Sequence, residues 1–199
     1  MKKIYLDHTA TTPLDPLVFE AMKPYFLEKY GNASSIHRYG QEAKAAIEES
    51  REVMAKLIGA LPGEVIFVSS GTESDNMALK GAALKMKSVG KNHIITTKVE
   101  HHAVLETCEY LAENGFQITF LNVDEYGTVD PEIVRKAITS ATGLISIMHV
   151  NNEVGSISPI AEVGEIAKEN GIIFHTDAVQ AFGKIPVNVK DLNVDLLSI

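Results

Sequence analysis

The chain holds a single cysteine, Cys108, in 199 residues. No internal disulfide can form, and a reducing cytoplasm is the expected compartment. No apolar run approaches the roughly 18 residues that a membrane helix needs. Basic charge is also short: 18 lysines and arginines stand against 26 acids, a net charge of −8. A nucleic-acid surface normally shows the opposite balance. Two loop motifs are missing as well. There is no lysine-bearing phosphate loop and no dinucleotide glycine triplet, which leaves ATP and NAD without support. The opening MKKIYLDHTATTP has two lysines but soon reaches Asp7 and His8, so it does not read as a secretion signal. Without such a signal, Asn32-Ala33-Ser34 matches a glycosylation triplet by spelling alone.

What is present is an alternation of helices and strands, with 45% apolar residues to build a core. Residues 15–30 and 40–58 read as helices. In the second, Ala43, Ile47, Ser50, Met54 and Leu57 share a face at spacings of three and four, and Gly59 supplies the stop. EVIFVSS (64–70) reads as a short strand before the helix GTESDNMALKGAALKMK. Strands at HIITTKV, ITFLNV, GLISIMHV and IIFHT then alternate with helices near HAVLETCEYLAENG, PEIVRKAIT and SPIAEVGEIAKENG. Strands apolar on both faces, separated by helices, predict an α/β fold: a mainly parallel sheet covered by helices. The closing VDLLSI (194–199) has the composition of a buried strand, where soluble chains usually trail into polar residues. A continuation beyond Ile199 is the expectation.

Ligands of open parallel sheets bind beyond the C-terminal strand ends. Four such ends are polar here: Ser69-Ser70-Gly71-Thr72, Glu100-His101-His102, Asn151-Asn152-Glu153, and Thr176-Asp177 with Gln180. Together they point to a small-molecule site. Ser70-Gly71-Thr72 has two readings. The glycine lets backbone approach an anion held at a helix N-terminus, or Ser70 or Thr72 simply caps the helix with Glu73 supporting its dipole. Asp177 also has two. A carboxylate at the inner end of a buried strand needs a cation such as a protonated pyridine nitrogen, or it caps the short segment that follows. Adjacent His101 and His102 cannot both reach one ion from regular structure, so no metal is expected. A flat imidazole there could instead stack on an aromatic ring. Cys108, among Val104, Leu105 and Leu111 at helical spacing, reads as a packed, inert thiol.

These clusters, in this order, resemble the NifS/IscS-type cysteine desulfurases of the class V aminotransferase group. The resemblance runs through YLDHTATTP (5–13), YGNASSIH (30–37), SSGTESDN (69–76), EHHAV (100–104), MHVNNEVG (148–155) and HTDAVQAFGK (175–184) to VDLLSI. It implies the large domain of a pyridoxal-phosphate-dependent transferase of fold type I, incomplete at its C-terminus. Residues 1–15 would be an arm of the small domain and 16–199 the cofactor-binding domain, with YGNASSIH part of the active-site surround. The implied cofactor is pyridoxal 5'-phosphate. Gly71 and Thr72 would hold its phosphate, His101 would stack on its ring, and Asp177 would pair with the protonated ring nitrogen. Gln180 would bond the phenolic oxygen, and Asn152 would contact the cofactor and the substrate carboxylate region. One departure is Gly71, where the family commonly has alanine.

The resemblance also implies what lies beyond Ile199: Ser-x-His-Lys with the Schiff-base lysine, and later the persulfide cysteine. No catalytic residue is therefore assigned within the chain, and the chain alone is expected to be inactive. The implied activity converts L-cysteine to L-alanine and passes sulfur to an iron–sulfur scaffold or a tRNA-modifying acceptor protein, in a cytoplasmic homodimer. Two alternatives stay open. The chain could be a non-catalytic fragment or split-gene half that needs a partner, or a selenocysteine lyase or other class V relative.

Overall fold

The computed structural model describes residues 3–199; the first two residues of the expected arm lie outside this range. The chain divides into two compact units. One runs to Leu57 and includes Leu61–Val65, and the other holds Ile58–Ala60 and Ile66–Ile199.

In the first unit, α1 (Pro16–Leu27) begins where the Asp15 carboxylate accepts the Leu17 N–H at 2.7 Å. Pro16 stands at the first helical position, where its missing N–H costs nothing. α2 spans Arg38–Ile58, close to the predicted range. Its buried side departs from the expected face: Ile47 and Leu57 are exposed, while Ala55 and Ile58 are buried. Apolar residues occur on several sides of α2, so spacing alone did not select the side that packs. Gly59, at φ +75°, ends the helix in the left-handed region as predicted.

The second unit is built on a five-stranded sheet. β1 (His93–Thr97), β2 (Gln117–Leu121), β3 (Thr142–Ser146), β4 (Ile173–Asp177) and β5 (Leu196–Ser198) lie in the order β2-β1-β3-β4-β5. Every neighbouring pair is parallel. Helices cover both faces. Ile94 and Leu144 pack with Leu79, Ala83 and Met86 of α3 (Gly71–Ser88) and with Val104, Cys108 and Leu111 of α4 (His102–Glu113). On the other face Ile95, Ile145, Ile147 and Phe174 pack with Val134 of α5 (Pro131–Ala137) and with Ile160, Val163 and Ala167 of α6 (Ile160–Glu169). Burial on both faces explains why β1 and β3 read as unbroken apolar runs rather than alternating ones.

One expected strand is absent. EVIFVSS leaves a 3₁₀ turn at Pro62–Glu64 and joins no ladder, with Ile66 and Phe67 exposed. β-rich composition favours an extended backbone, but a strand needs a neighbour for its N–H and C=O groups. None of the five strands runs beside it.

The sheet reverses direction at its middle. β1 passes through α4 to β2 on one side, while β3 and β4 build outward on the other. The crevice beyond the C-terminal ends of β1 and β3 is therefore the switch point at which such sheets bind ligands.

Candidate functional site

Each predicted residue follows one of these strands or opens the helix beside them. At the start of α3 both readings of Ser70-Gly71-Thr72 have a place. The Ser70 hydroxyl accepts the Glu73 N–H at 3.2 Å, so the cap forms. Glu73 reaches back to the Ser69 N–H at 2.6 Å and the Ser69 hydroxyl at 2.7 Å, and these bonds hold its carboxyl below the usual range. The Ser74 N–H goes to the Ser70 carbonyl. Among the described residues, the amides of Gly71 and Thr72 have no acceptor, at the positive end of an 18-residue helix. Gly71 faces Val179, two residues past Asp177. A Cβ on Gly71 would lie 2.8 Å from Val179 Cγ2, so only glycine lets the two segments approach this closely.

His101 is the N-cap of α4, its Nδ1 accepting the Ala103 N–H at 3.1 Å. That bond fixes the ring and leaves Nε2 as the free nitrogen. Beside it, Glu100 is buried, and its Oε1 takes both the Thr97 hydroxyl at 2.6 Å and the Met148 N–H at 3.1 Å. Its Oε2 is buried with no hydrogen-bond partner among the described residues. Burial pushes the Glu100 carboxyl up to about 8 against these two bonds, with Asp177 and Asp75 adding repulsion. Glu100 thus ties the His101 loop to the end of β3.

The loop after β3 is braced by Asn151. Its Nδ2 donates to the Val99 carbonyl at 2.9 Å, and its Oδ1 accepts the N–H groups of Glu153 and Val154. Asn152, half-buried, donates to Glu153 Oε1 at 2.7 Å. The His149 N–H then reaches the Asp177 carbonyl at 2.8 Å, linking this loop to β4.

Asp177 closes β4 at 6% exposure, its Oδ1 accepting the Val179 N–H at 3.0 Å. Burial raises its carboxyl above the ordinary range, and the Val179 bond and nearby His101 only partly oppose this. Gln180, half-buried, accepts from the Lys184 ammonium. So Gly71, His101, Asn152, Asp177 and Gln180 stand on adjoining segments at one sheet edge. A cavity lined by Lys91, Thr139, Ser140 and Asn170 opens at the opposite edge and holds none of them.

Beneath Asp177 lies a polar group that the motifs did not single out. His175 shares the Asp177 face of β4, with Nδ1 2.9 Å from Ser146 Oγ and Nε2 3.0 Å from Ser198 Oγ. Burial depresses its imidazole to about 3. Asp75, on the second turn of α3, is 1% exposed and pushed up to about 7, by burial first and by Asp177 second. A mid-helix aspartate reads as a surface acid. Only its position four residues after Gly71, the same interval as Leu79 from Asp75, hints that it turns inward. Cys108 is fully buried and its thiol pushed up to about 12, by burial first. Among the described residues no helix is long and apolar enough to cross a membrane.

The site residues meet the chemistry of pyridoxal phosphate on this geometry. A buried carboxylate closes the strand, two helix-terminal amides have no acceptor among the described residues, and a close Gly71–Val179 approach joins them. An open parallel sheet covered on both faces, with polar loops at its switch point, defines an α/β domain of the class that takes ligands at that edge. The aminotransferase class-V family model matches residues 4–199, and the chain belongs to that family. It is 60% identical over 198 residues to the cysteine desulfurase IscS of Dictyoglomus turgidum, covering 100% of this chain and 50% of that protein. It is 54% identical to the cysteine desulfurase IscS of Methanosarcina thermophila, covering 49% of it. A solved NifS-like protein superposes with a TM-score of 0.95 at 43% identity, over 98% of this chain and 54% of that one. SspA in complex with cysteine gives 0.93 at 41% identity, over 97% and 55%. The chain spans about half the length of the curated relatives it matches. These families are pyridoxal-phosphate-dependent.

Proposed function

We propose that these residues form the cofactor-binding part of a cysteine desulfurase, which converts L-cysteine to L-alanine and keeps the sulfur as an enzyme persulfide. The observation that carries this reading is Asp177, a buried carboxylate raised above its ordinary range at the switch-point edge of the sheet, where a protonated ring nitrogen would neutralise it. When bound, pyridoxal phosphate supplies an electron sink for the substrate's α-carbon. Asp177 holds the proton on the ring nitrogen, with its Oδ1 braced by Val179. The amides of Gly71 and Thr72 receive the phosphate at the positive end of α3. His101, fixed through Nδ1, offers its flat face to the ring. Gln180 bonds the phenolic oxygen, and Asn152 orients the ring and the substrate carboxylate.

Residues 1–15 would then be an arm of the small domain and 16–199 the cofactor-binding domain, acting in a cytoplasmic homodimer. The lysine that anchors the cofactor and the cysteine that takes the sulfur belong, by the resemblance, to the half of such proteins that this chain does not span. Sulfur would pass to an iron–sulfur scaffold or another acceptor protein. The relatives' names and the cysteine held by SspA support L-cysteine as substrate. The test is to purify the whole protein, record the visible absorbance of bound cofactor, and assay alanine release from L-cysteine. A protein with no cofactor absorbance and no alanine would overturn the assignment.

A further inference from the structure

Gln180 and Lys184 lie on two consecutive turns after β4, and the core fixes both turns. Ala178 and Ala181 are at 0% exposure. The Ala178 N–H donates to the Ser198 carbonyl at 2.8 Å, which ties the segment to the end of β5. The Ala178 carbonyl accepts the Ala181 and Phe182 N–H groups, each at 2.9 Å. The Ala181 carbonyl accepts those of Lys184 and Ile185, each at 3.0 Å. Gly183, at φ +77°, supplies a left-handed step just before Lys184. Half-buried Gln180 and exposed Lys184 are thereby brought together, and the Lys184 ammonium donates to Gln180 Oε1.

An ammonium only donates, so it meets the amide through its oxygen and never through its nitrogen. A free glutamine amide turns either end outward, because its last torsion is broad and roughly two-fold. Here the oxygen is taken. The Gln180 amide nitrogen has no acceptor among the described residues, so its N–H groups are the end left for a ligand. The ammonium also polarises the amide and strengthens those N–H groups as donors. A solvent-exposed bond of this kind exchanges with water at small net gain, so it adds little to the fold. What it does set is which end of the amide the site receives. Gln180 stands three residues past Asp177, at the sheet edge that also carries His101 and Asn152.

We propose that Lys184 is a positioning residue: by holding the Gln180 oxygen it presents the Gln180 N–H groups to an anionic oxygen of the ligand. In the proposed function, on which this inference rests, that oxygen is the phenolic oxygen of pyridoxal phosphate. An ionised phenolic oxygen only accepts, so it needs a donor at Gln180, and the reversed amide would set oxygen against oxygen. A protonated phenolic oxygen gains less from the choice, because it can donate as well as accept. The Lys184–Gln180 clamp therefore favours the ionised form.

The whole protein loaded with pyridoxal phosphate tests this through K184M, K184R and a cycle with Q180L. Two quantities are read at one pH: the cofactor's affinity and, from its visible absorbance, the ratio of ionised to protonated phenolic oxygen. K184M should lower that ratio roughly threefold, equivalent to about half a pKa unit, and weaken binding by a similar factor. K184R keeps a cationic donor and should stay within about twofold of wild type. In the Q180L background K184M should change neither quantity. A K184M protein that matches wild type, a K184R protein as impaired as K184M, or an equal loss with and without Gln180 overturns the clamp. Lys184 is exposed, so the thermal midpoint of K184M should stay close to that of wild type. Without cofactor, the NMR signals of the Gln180 side-chain carbonyl carbon and amide nitrogen should move between wild type and K184M; unmoved signals overturn the contact itself. A protein that takes up no cofactor overturns the proposed function instead and leaves the clamp to these cofactor-free signals.

Discussion

Gly71 and Val179 face each other across the mouth of the site, and a Cβ on Gly71 would stand 2.8 Å from Val179 Cγ2. Val179 is branched at Cβ and has few rotamers to escape into. G71A should therefore cost about 1–3 kcal/mol through overpacking. V179A should recover most of it, because Val179 is 41% exposed and adds little packing of its own. A double-mutant cycle by urea unfolding measures this coupling, and two additive effects would show that the segments are not pressed together. The resemblance commonly puts alanine where this chain has Gly71, and here Val179 stands where an alanine Cβ would need room.

Glu100 acts as a neutral acceptor. E100Q keeps an oxygen for the Thr97 hydroxyl and the Met148 N–H and should lose less stability at pH 7 than E100L. E100L leaves both donors buried and unpaired, about 1–3 kcal/mol each. Equal losses in the two variants would mean that shape, not the acceptor, matters at this position.

Buried acids and buried histidines give the cofactor-free protein opposed pH slopes. Asp75, Glu100 and Asp177 have raised carboxyls, so their unfolded forms lose protons first and stability falls as pH rises toward about 7 for Asp75 and about 8 for Glu100. His93, His149 and His175 are depressed by burial, so stability falls as pH drops below their ordinary value. Between the two limits the slopes oppose. Above about pH 6.5 the unfolded histidines lose their remaining protons as well, so their contribution fades and that of the acids comes to dominate. Thermal midpoints should therefore decline from about pH 6.5 to about pH 8, and a D75N/E100Q double variant should lose much of that decline. A rising midpoint across that interval would show that these acids are ionised without penalty.

Much of this was legible in the sequence, for reasons that separate cleanly. β1, β3 and β4 announced themselves because both faces are covered and their apolar runs are unbroken. The strand-end polar clusters were legible because a parallel sheet puts all those ends on one edge. EVIFVSS misled because pairing depends on a neighbour that no local pattern contains. The packed side of α2 was hidden by apolar residues on more than one side. Asp75 escaped notice, and Glu100 was read only as one of a polar strand end, because a carboxylate in a helix or a turn looks solvent-facing until its surroundings are known. His175 could have been paired with Asp177 from the two-residue strand period alone.

The most direct measurement is equilibrium binding of pyridoxal phosphate to the whole protein and to D177N, followed by absorbance and by thermal midpoint. Breaking a buried ion pair costs about 3–5 kcal/mol, so D177N should bind the cofactor at least about 100-fold more weakly. Without cofactor, D177N should melt no lower than wild type, because it removes a carboxylate that burial penalises. Equal affinity in the two proteins would contradict the assignment of Asp177 as the partner of the ring nitrogen, and with it the site described here.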